Sequence, residues 1–504
     1  MTAEARVPLG DDLDRAWRWT LIIVVAVTAL RVLILNLTDL NLGPDEAQYW
    51  YWSTDLAFGY YSKPPMIAWI IAGSTAVCGD GEACIRTASP LLYGLAALFI
   101  FGAAHVLYGV RAAFWSALAF ILLPGISLSA ALITTDVPLL CFWAMATYGL
   151  AILLNTQAGH GRIAALLTGA AIGLAMLSKY AGAYFLLGLV IAAIFDKRLR
   201  SHLLGWNGAL ILAGALIVFL PNIIWNLHHG FATVSHTAFN AGIDQKKLFN
   251  FDRLAEFFGA QFIVFHPILM GVIVAGLVVG LRRARWPHVL PNDIMLLCLS
   301  LPVIAIGLGI GFLSKANANW AAPAFVGLSI VATVWLLRAE ARPWAIATAA
   351  ISVVVAACLY TAALSPRFID LIGQSNAFKL LRGWNTQGPA VVRAAREGGF
   401  EALLTEDRED MASLLYYTRK SGLPILMWTP EPDHPTDHFQ MMRAYAGTPD
   451  RVLFITRRDD STDVTERFAA TREAEISSIR IGAKKGVDVY RTFHLIDASG
   501  FKAE

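Results

Sequence analysis

Apolar runs of about 15 to 24 residues recur through the first 365 positions of this chain, at 16–37, 87–108, 113–134, 138–154, 163–177, 180–195, 203–226, 264–282, 291–313, 318–337 and 344–362. Each lies near the ~20 residues that a helix needs to cross a bilayer. Backbone polar groups in hydrocarbon must be satisfied within the segment, so these eleven runs predict a polytopic bundle of about 11 transmembrane helices. Composition bears on the same point: 57% of the residues are apolar and only 15% are charged, against roughly 25% charged in soluble domains. The charge is also concentrated, with 39 of the charged residues in the last 139 positions. Residues 1–365 therefore read as the membrane body and 366–504 as a soluble domain.

The first run, 16–37, is longer than the apolar stretch of a secretory signal and no small-residue cleavage site follows it, so it reads as an uncleaved span. A net charge of +3, spread along the chain, argues against a nucleic-acid partner. Basic residues orient the spans: Arg15, Arg18, Arg111, Lys197, Arg198, Arg200, Arg282, Arg283 and Arg285 all fall on one side if the N-terminus is cytoplasmic. The apolar stretch 66–78 covers only 13 residues, which suits a re-entrant or interfacial segment better than a crossing. Taking it as non-spanning places Asp45, Glu46, Lys63, Asp136, Lys179 and Lys315 at the outer face, together with the C-terminal domain. That domain alternates strand-like runs (402–405, 424–428, 451–455) with helical ones (388–396, 410–420), the pattern of a small α/β fold.

Of five cysteines, Cys141, Cys298 and Cys358 sit in apolar runs as packing residues, whereas Cys78 and Cys84 flank a short outer loop. In an oxidising compartment that pair has two states open to it, a disulfide or two free thiols. The sequence contains no Gly-rich phosphate loop, paired CxxC or HExxH motif.

The outer loop 38–86 begins with an adjacent carboxylate pair, Asp45-Glu46, followed by Tyr49-Trp50-Tyr51-Trp52, and ends its aromatic stretch with Tyr60-Tyr61-Ser62-Lys63-Pro64-Pro65. A carboxylate partly shielded from water can accept a proton from an attacking hydroxyl, and aromatic rings stack on sugars or anchor in the headgroup layer. Asp136 precedes Pro138 at the start of a span, where it suits the N-cap of that helix and also faces the outer cavity. Lys63, Lys179 and Lys315 each interrupt an apolar stretch near the same boundary; one alone would snorkel, but three can bind a lipid-borne phosphate as point charges. Arg31, inside the first span, reads as a snorkelling residue.

At these residues the sequence resembles the GT-C superfamily of polyprenyl-phosphate-dependent glycosyltransferases, in particular the branch containing protein O-mannosyltransferases and lipid A aminoarabinose transferases. The resemblance rests on Asp45-Glu46 after the first span, Lys63-Pro64-Pro65 closing the same loop, Thr135-Asp136-Val137-Pro138 at the start of a later span, and the element from Gly173 to Ser178-Lys179 beyond it. It covers the membrane body and is strongest in the first 180 residues. The chain departs from the family pattern at Gln48, where Arg is frequent, and at Ser62, where Glu is frequent, which leaves the sugar and acceptor open.

The resemblance implies transfer of a sugar from a polyprenyl-phosphate donor to a lipid or glycan acceptor on the periplasmic face of a bacterial inner membrane, with inversion. Asp45 is then the general base, with Glu46 and Asp136 shaping the sugar or acceptor site. Lys63, Lys179 and Lys315 are expected at the donor phosphate, and Tyr49, Tyr61, Asn317, Asn319 and Trp320 around the substrates. No cofactor is required, although three acidic side chains have the chemistry to hold a divalent cation. The competing readings are a lipid or sugar transporter or flippase, which would show repeated halves and mid-membrane charges, and a non-enzymatic envelope assembly protein.

Overall fold

In the computed structural model, which describes residues 9–157, 160–231, 233, 249–283, 290–431, 434–484 and 487–502, each of the eleven apolar runs contains a helix. Six helical stretches are long and apolar enough to cross a membrane: Asp12–Leu37, Glu82–Tyr108, Asp136–Leu154, Trp206–His228, Pro291–Leu313 and Arg342–Leu364. A seventh is the pair Phe251–Val264 and Pro267–Gly280, bent by 119°. The remaining runs form shorter helices, so helix length alone reproduces six or seven crossings among the described residues and not eleven. Arg285, used to orient the spans, lies outside the described residues.

The expected span 113–134 is broken, and the expected span 264–282 is entered through a sharp bend, each for a local reason. The run 113–134 divides into Val110–Ile121 and Pro124–Ser129, because Pro124 has no amide proton to continue the ladder and fits the first helical turn instead. This break explains Arg31, which is buried and does not snorkel: its Nη2 donates to Ile121 O (2.6 Å) and Ser127 Oγ (3.1 Å). The carbonyl orphaned at the helix end thus finds a donor on another helix. At the 119° bend, Pro267 starts the second helix and His266 Nδ1 accepts from the Ile268 amide at 3.2 Å.

The chain divides into two compact units. The first comprises Met1–Leu35, Lys63–Ile67 and Arg86–Leu359, and holds the bulk of the membrane helices. Within it Arg162–Ser178 and Trp206–His228 approach unusually closely, because a Cβ at Gly169 would lie 2.1 Å from Ile211 O and one at Gly214 would lie 2.5 Å from Leu166 O. Small residues permit such backbone contact where lipid supplies no hydrophobic drive between helices. The buried Asp293 ties other elements together, accepting from both terminal nitrogens of Arg338 (2.5 and 3.2 Å), from Tyr108 Oη (2.7 Å) and from Trp335 Nε1 (3.2 Å).

The second unit gathers Asn36–Ser62, Ala68–Ile85 and Tyr360–Glu504. Its five strands are β1 (Ala402–Thr405), β2 (Ile425–Met427), β3 (Val452–Thr456), β4 (Phe468–Lys484) and β5 (Val487–Phe501), in the order β2-β1-β3-β5-β4. The first three pair in parallel and are almost wholly buried, which accounts for their continuous apolar sequence. The long β4–β5 hairpin closes the sheet antiparallel. The loop that follows the first span packs into this unit: Asn41 N donates to Leu381 O (2.8 Å), Trp384 N to Asn41 Oδ1 (2.8 Å), and Arg419 Nε to Asp80 Oδ2 (2.6 Å). Cys78 and Cys84 form a disulfide.

Candidate active site

In the second unit the acidic pair opens the helix Pro44–Ser53, where Pro44 fits the first turn and Gly43 is the N-cap. The two carboxylates have different surroundings. Glu46 is buried and its Oε2 accepts the Gly43 amide at 2.8 Å, so it satisfies a helix-end donor. Asp45 is 67% exposed at its side chain, and its Oδ1 accepts from Arg408 Nη1 at 3.0 Å. The same Nη1 donates to Gln48 Oε1, one turn along from Asp45. Among the described residues Asp45 Oδ2 accepts nothing.

Arg408 begins the helix Arg408–Tyr417, whose N-cap Asp407 accepts from Glu409 N (2.8 Å) and Asp410 N (2.9 Å). Burial works against the Arg408 charge, but Asp45, Glu409 and Tyr49 together outweigh burial and hold the guanidinium above its ordinary range. An ion pair as exposed as this one contributes at most about 1 kcal/mol to stability. No sequence motif marked Arg408, which lies 363 residues from its partner.

The aromatic run after the acidic pair is largely interior. Tyr49, Trp50 and Trp52 are buried; Trp50 meets Tyr416 edge-on at 4.9 Å, and Trp52 stacks on Tyr60 at 4.7 Å. Tyr61 is half-buried and donates to Pro435 O at 3.0 Å. His438 is enclosed by Tyr51, Trp52, Tyr60 and Phe439, and burial pushes its imidazole down to about 4.

In the first unit Asp136 starts the helix Asp136–Leu154, but Thr135 is the N-cap and Asp136 is not, contrary to the sequence expectation. Its oxygens are both engaged: Lys179 Nζ donates to Oδ1 at 2.7 Å and Asn319 Nδ2 to Oδ2 at 2.6 Å. Side-chain exposure is 7% for Asp136 and 22% for Lys179. Lys179 is extended (φ −161°) between Arg162–Ser178 and the short turn Tyr180–Ala183. That turn is tight because a Cβ at Gly182 would fall 2.5 Å from the Ala175 and Met176 backbone, and the Gly182 amide donates to Lys179 O at 2.8 Å.

Lys63 is half-buried in the segment before Met66–Cys78. Lys315 is exposed and has no partner among the described residues. Asn317 caps the turn Ala318–Ala321 that carries Asn319 and Trp320, and Gln261 Nε2 fixes this turn through Ala318 O at 3.2 Å. The structure thus brings together Asp136, Lys179 and Asn319 in the first unit, and joins Asp45 to an unforeseen arginine in the second. It also reveals a polar group beside Lys179: Tyr180 Oη donates to Asn222 Oδ1 and accepts from Asn226 Nδ2, each at 3.1 Å. Two asparagines four apart in an apolar helix were the available signal.

Comparison with known proteins adds three findings. The family described as dolichyl-phosphate-mannose-protein mannosyltransferase matches residues 62–225. The lipid A galacturonosyltransferase RgtD of Rhizobium johnstonii is 33% identical over 437 residues, covering 86% of this chain and 90% of that protein. Among solved structures, ArnT from Cupriavidus metallidurans in the apo state superposes with a TM-score of 0.64 at 17% identity, covering 96% of this chain and 98% of that one. The same protein bound to undecaprenyl phosphate gives 0.60 at 17% identity, over 95% and 97%.

Proposed function

The chain belongs to the GT-C family of membrane glycosyltransferases, and from that premise we propose that it moves a uronic acid of the galacturonic type from a polyprenyl-phosphate carrier to a lipid A-like acceptor, with inversion, on the outer face of a bacterial inner membrane. The observation that carries sugar and acceptor is the 33% identity extending over 90% of a lipid A galacturonosyltransferase. The carrier is proposed because a protein of the same fold has been solved with undecaprenyl phosphate. The same end-to-end likeness to a transferase sets aside the transporter and assembly readings.

In this reading an acceptor hydroxyl oxygen attacks the anomeric carbon, the bond from that carbon to the phosphate oxygen breaks, and the polyprenyl phosphate leaves with the electron pair. The hydroxyl proton passes to Asp45, whose Oδ2 is unengaged among the described residues. Lys63, Lys179 and Lys315 supply positive charge for the leaving phosphate. Asp136 acts through Lys179 and Asn319, which it holds. Asn317 and Trp320 border the donor, Tyr61 borders the acceptor, and Tyr49 and Glu46 support the helix that carries Asp45.

The test is transfer by the purified protein in nanodiscs, given polyprenyl phosphate bearing labelled galacturonic acid, and lipid A. Label is expected on lipid A, and Asp45→Asn is expected to lower turnover roughly 10²- to 10⁴-fold. Full turnover by Asp45→Asn would remove that residue from the base role. Preference for a neutral hexose on the same carrier would overturn the sugar assignment.

A further inference from the structure

The ion pair between Asp45 and Arg408 has a geometry that charge neutralisation alone does not require. One guanidinium nitrogen is shared between Asp45 Oδ1 and Gln48 Oε1, two acceptors on successive turns of one helix face. Both helices are independently anchored. Asp407 caps the start of Arg408–Tyr417, the Trp50–Tyr416 ring contact joins it to Pro44–Ser53, and the Leu42 amide donates to Tyr417 Oη at 2.6 Å. The arginine therefore reaches Asp45 from a fixed base, through one nitrogen that Gln48 holds as well. It engages one oxygen only.

We infer that Arg408 is a positioning residue for the proton-accepting carboxylate: by holding Asp45 Oδ1 and Gln48 Oε1 on one nitrogen, it sets the rotamer of Asp45 and presents Oδ2 to the acceptor hydroxyl. This rests on the reading of Asp45 as general base. Arg408 touches neither substrate; it acts through Asp45. Without it an exposed aspartate samples several staggered rotamers, of which only some aim an oxygen at the hydroxyl. Displacement of a reacting group by about 1 Å can cost on the order of 10²-fold in rate.

The experiment compares wild type, Arg408→Ala, Arg408→Lys and Asp45→Asn in the nanodisc transfer assay, with melting temperature measured on each. Arg408→Ala is expected to lower kcat by about 10- to 100-fold with donor KM within about twofold. Arg408→Lys should recover part of that loss, and millimolar guanidinium added to Arg408→Ala should raise its turnover where potassium does not. Wild-type turnover by Arg408→Ala, with Asp45→Asn inactive, would overturn the positioning role and leave the base reading standing. A raised KM with unchanged kcat would overturn it too, as would a loss that neither lysine nor guanidinium relieves. Full turnover by Asp45→Asn would instead remove the base reading itself.

Discussion

Asp136 begins its helix with 7% of its side chain exposed and commits both oxygens, one to Lys179 and one to Asn319. Asp45, near the start of Pro44–Ser53, is 67% exposed and commits one oxygen to Arg408. The residue type and the helix-end position are the same in the two units; the surroundings differ. A carboxylate with both oxygens engaged and little water is suited to holding other groups in place. One with a free oxygen at the solvent boundary is suited to taking a proton. In the proposed reaction this contrast gives the proton to Asp45 and the holding of Lys179 and Asn319 to Asp136.

The largest effect on stability is expected at the enclosed aspartate. Asp136→Ala leaves the Lys179 ammonium without its partner, which for a pair this buried costs about 3–5 kcal/mol. Melting in detergent should show the loss, and Lys179→Ala in the same chain should return part of it, because the two residues share one interaction. Additive losses would break the contrast by showing that the pair is not coupled.

A somewhat smaller effect concerns the aromatic shell behind Asp45. The His438 imidazole is held down to about 4 by burial, against 6.5 when exposed. The unfolded chain binds the proton first as pH falls, so this contribution is fully present above pH 6.5 and is lost as pH drops through about 4. It amounts to about 3 kcal/mol at most. In His438→Leu the fall in melting temperature between pH 7 and pH 4.5 should shrink; an unchanged fall would show that the imidazole titrates freely. The smallest effect is expected for Glu46→Gln. The amide oxygen still accepts the Gly43 amide, so stability should change by about 1 kcal/mol or less and turnover should persist. Abolished turnover would move the proton-accepting role from Asp45 to its neighbour.

Much of the membrane body was legible, because a run of about twenty apolar residues has few alternatives to a helix. Its breaks were less so. Pro124 was visible as a breaker, but a charge such as Arg31 in an apolar helix reads the same whether it reaches for headgroups or for an orphaned carbonyl 90 residues away. The acidic pair and the lysines stood out by residue type, and so did the first three strands. The β4–β5 hairpin did not: β4 mixes charged and small side chains, and in β5 the alternating apolar face is interrupted by the buried Arg491. Arg408 was invisible for a different reason: its relation to Asp45 is created by folding of the first loop onto a segment more than 300 residues away, and local pattern carries no trace of such a contact. Asp136 was legible as a carboxylate at the start of a helix, but its engagement by Lys179 and Asn319 was not.

The most direct test places Asp45→Asn and Asp136→Ala side by side in one preparation, with transfer of labelled sugar and melting temperature read on both. Asp45→Asn is expected to lose turnover at an unchanged melting temperature, while Asp136→Ala loses stability and retains measurable turnover. Active Asp45→Asn beside a stable, inactive Asp136→Ala would contradict this division of roles.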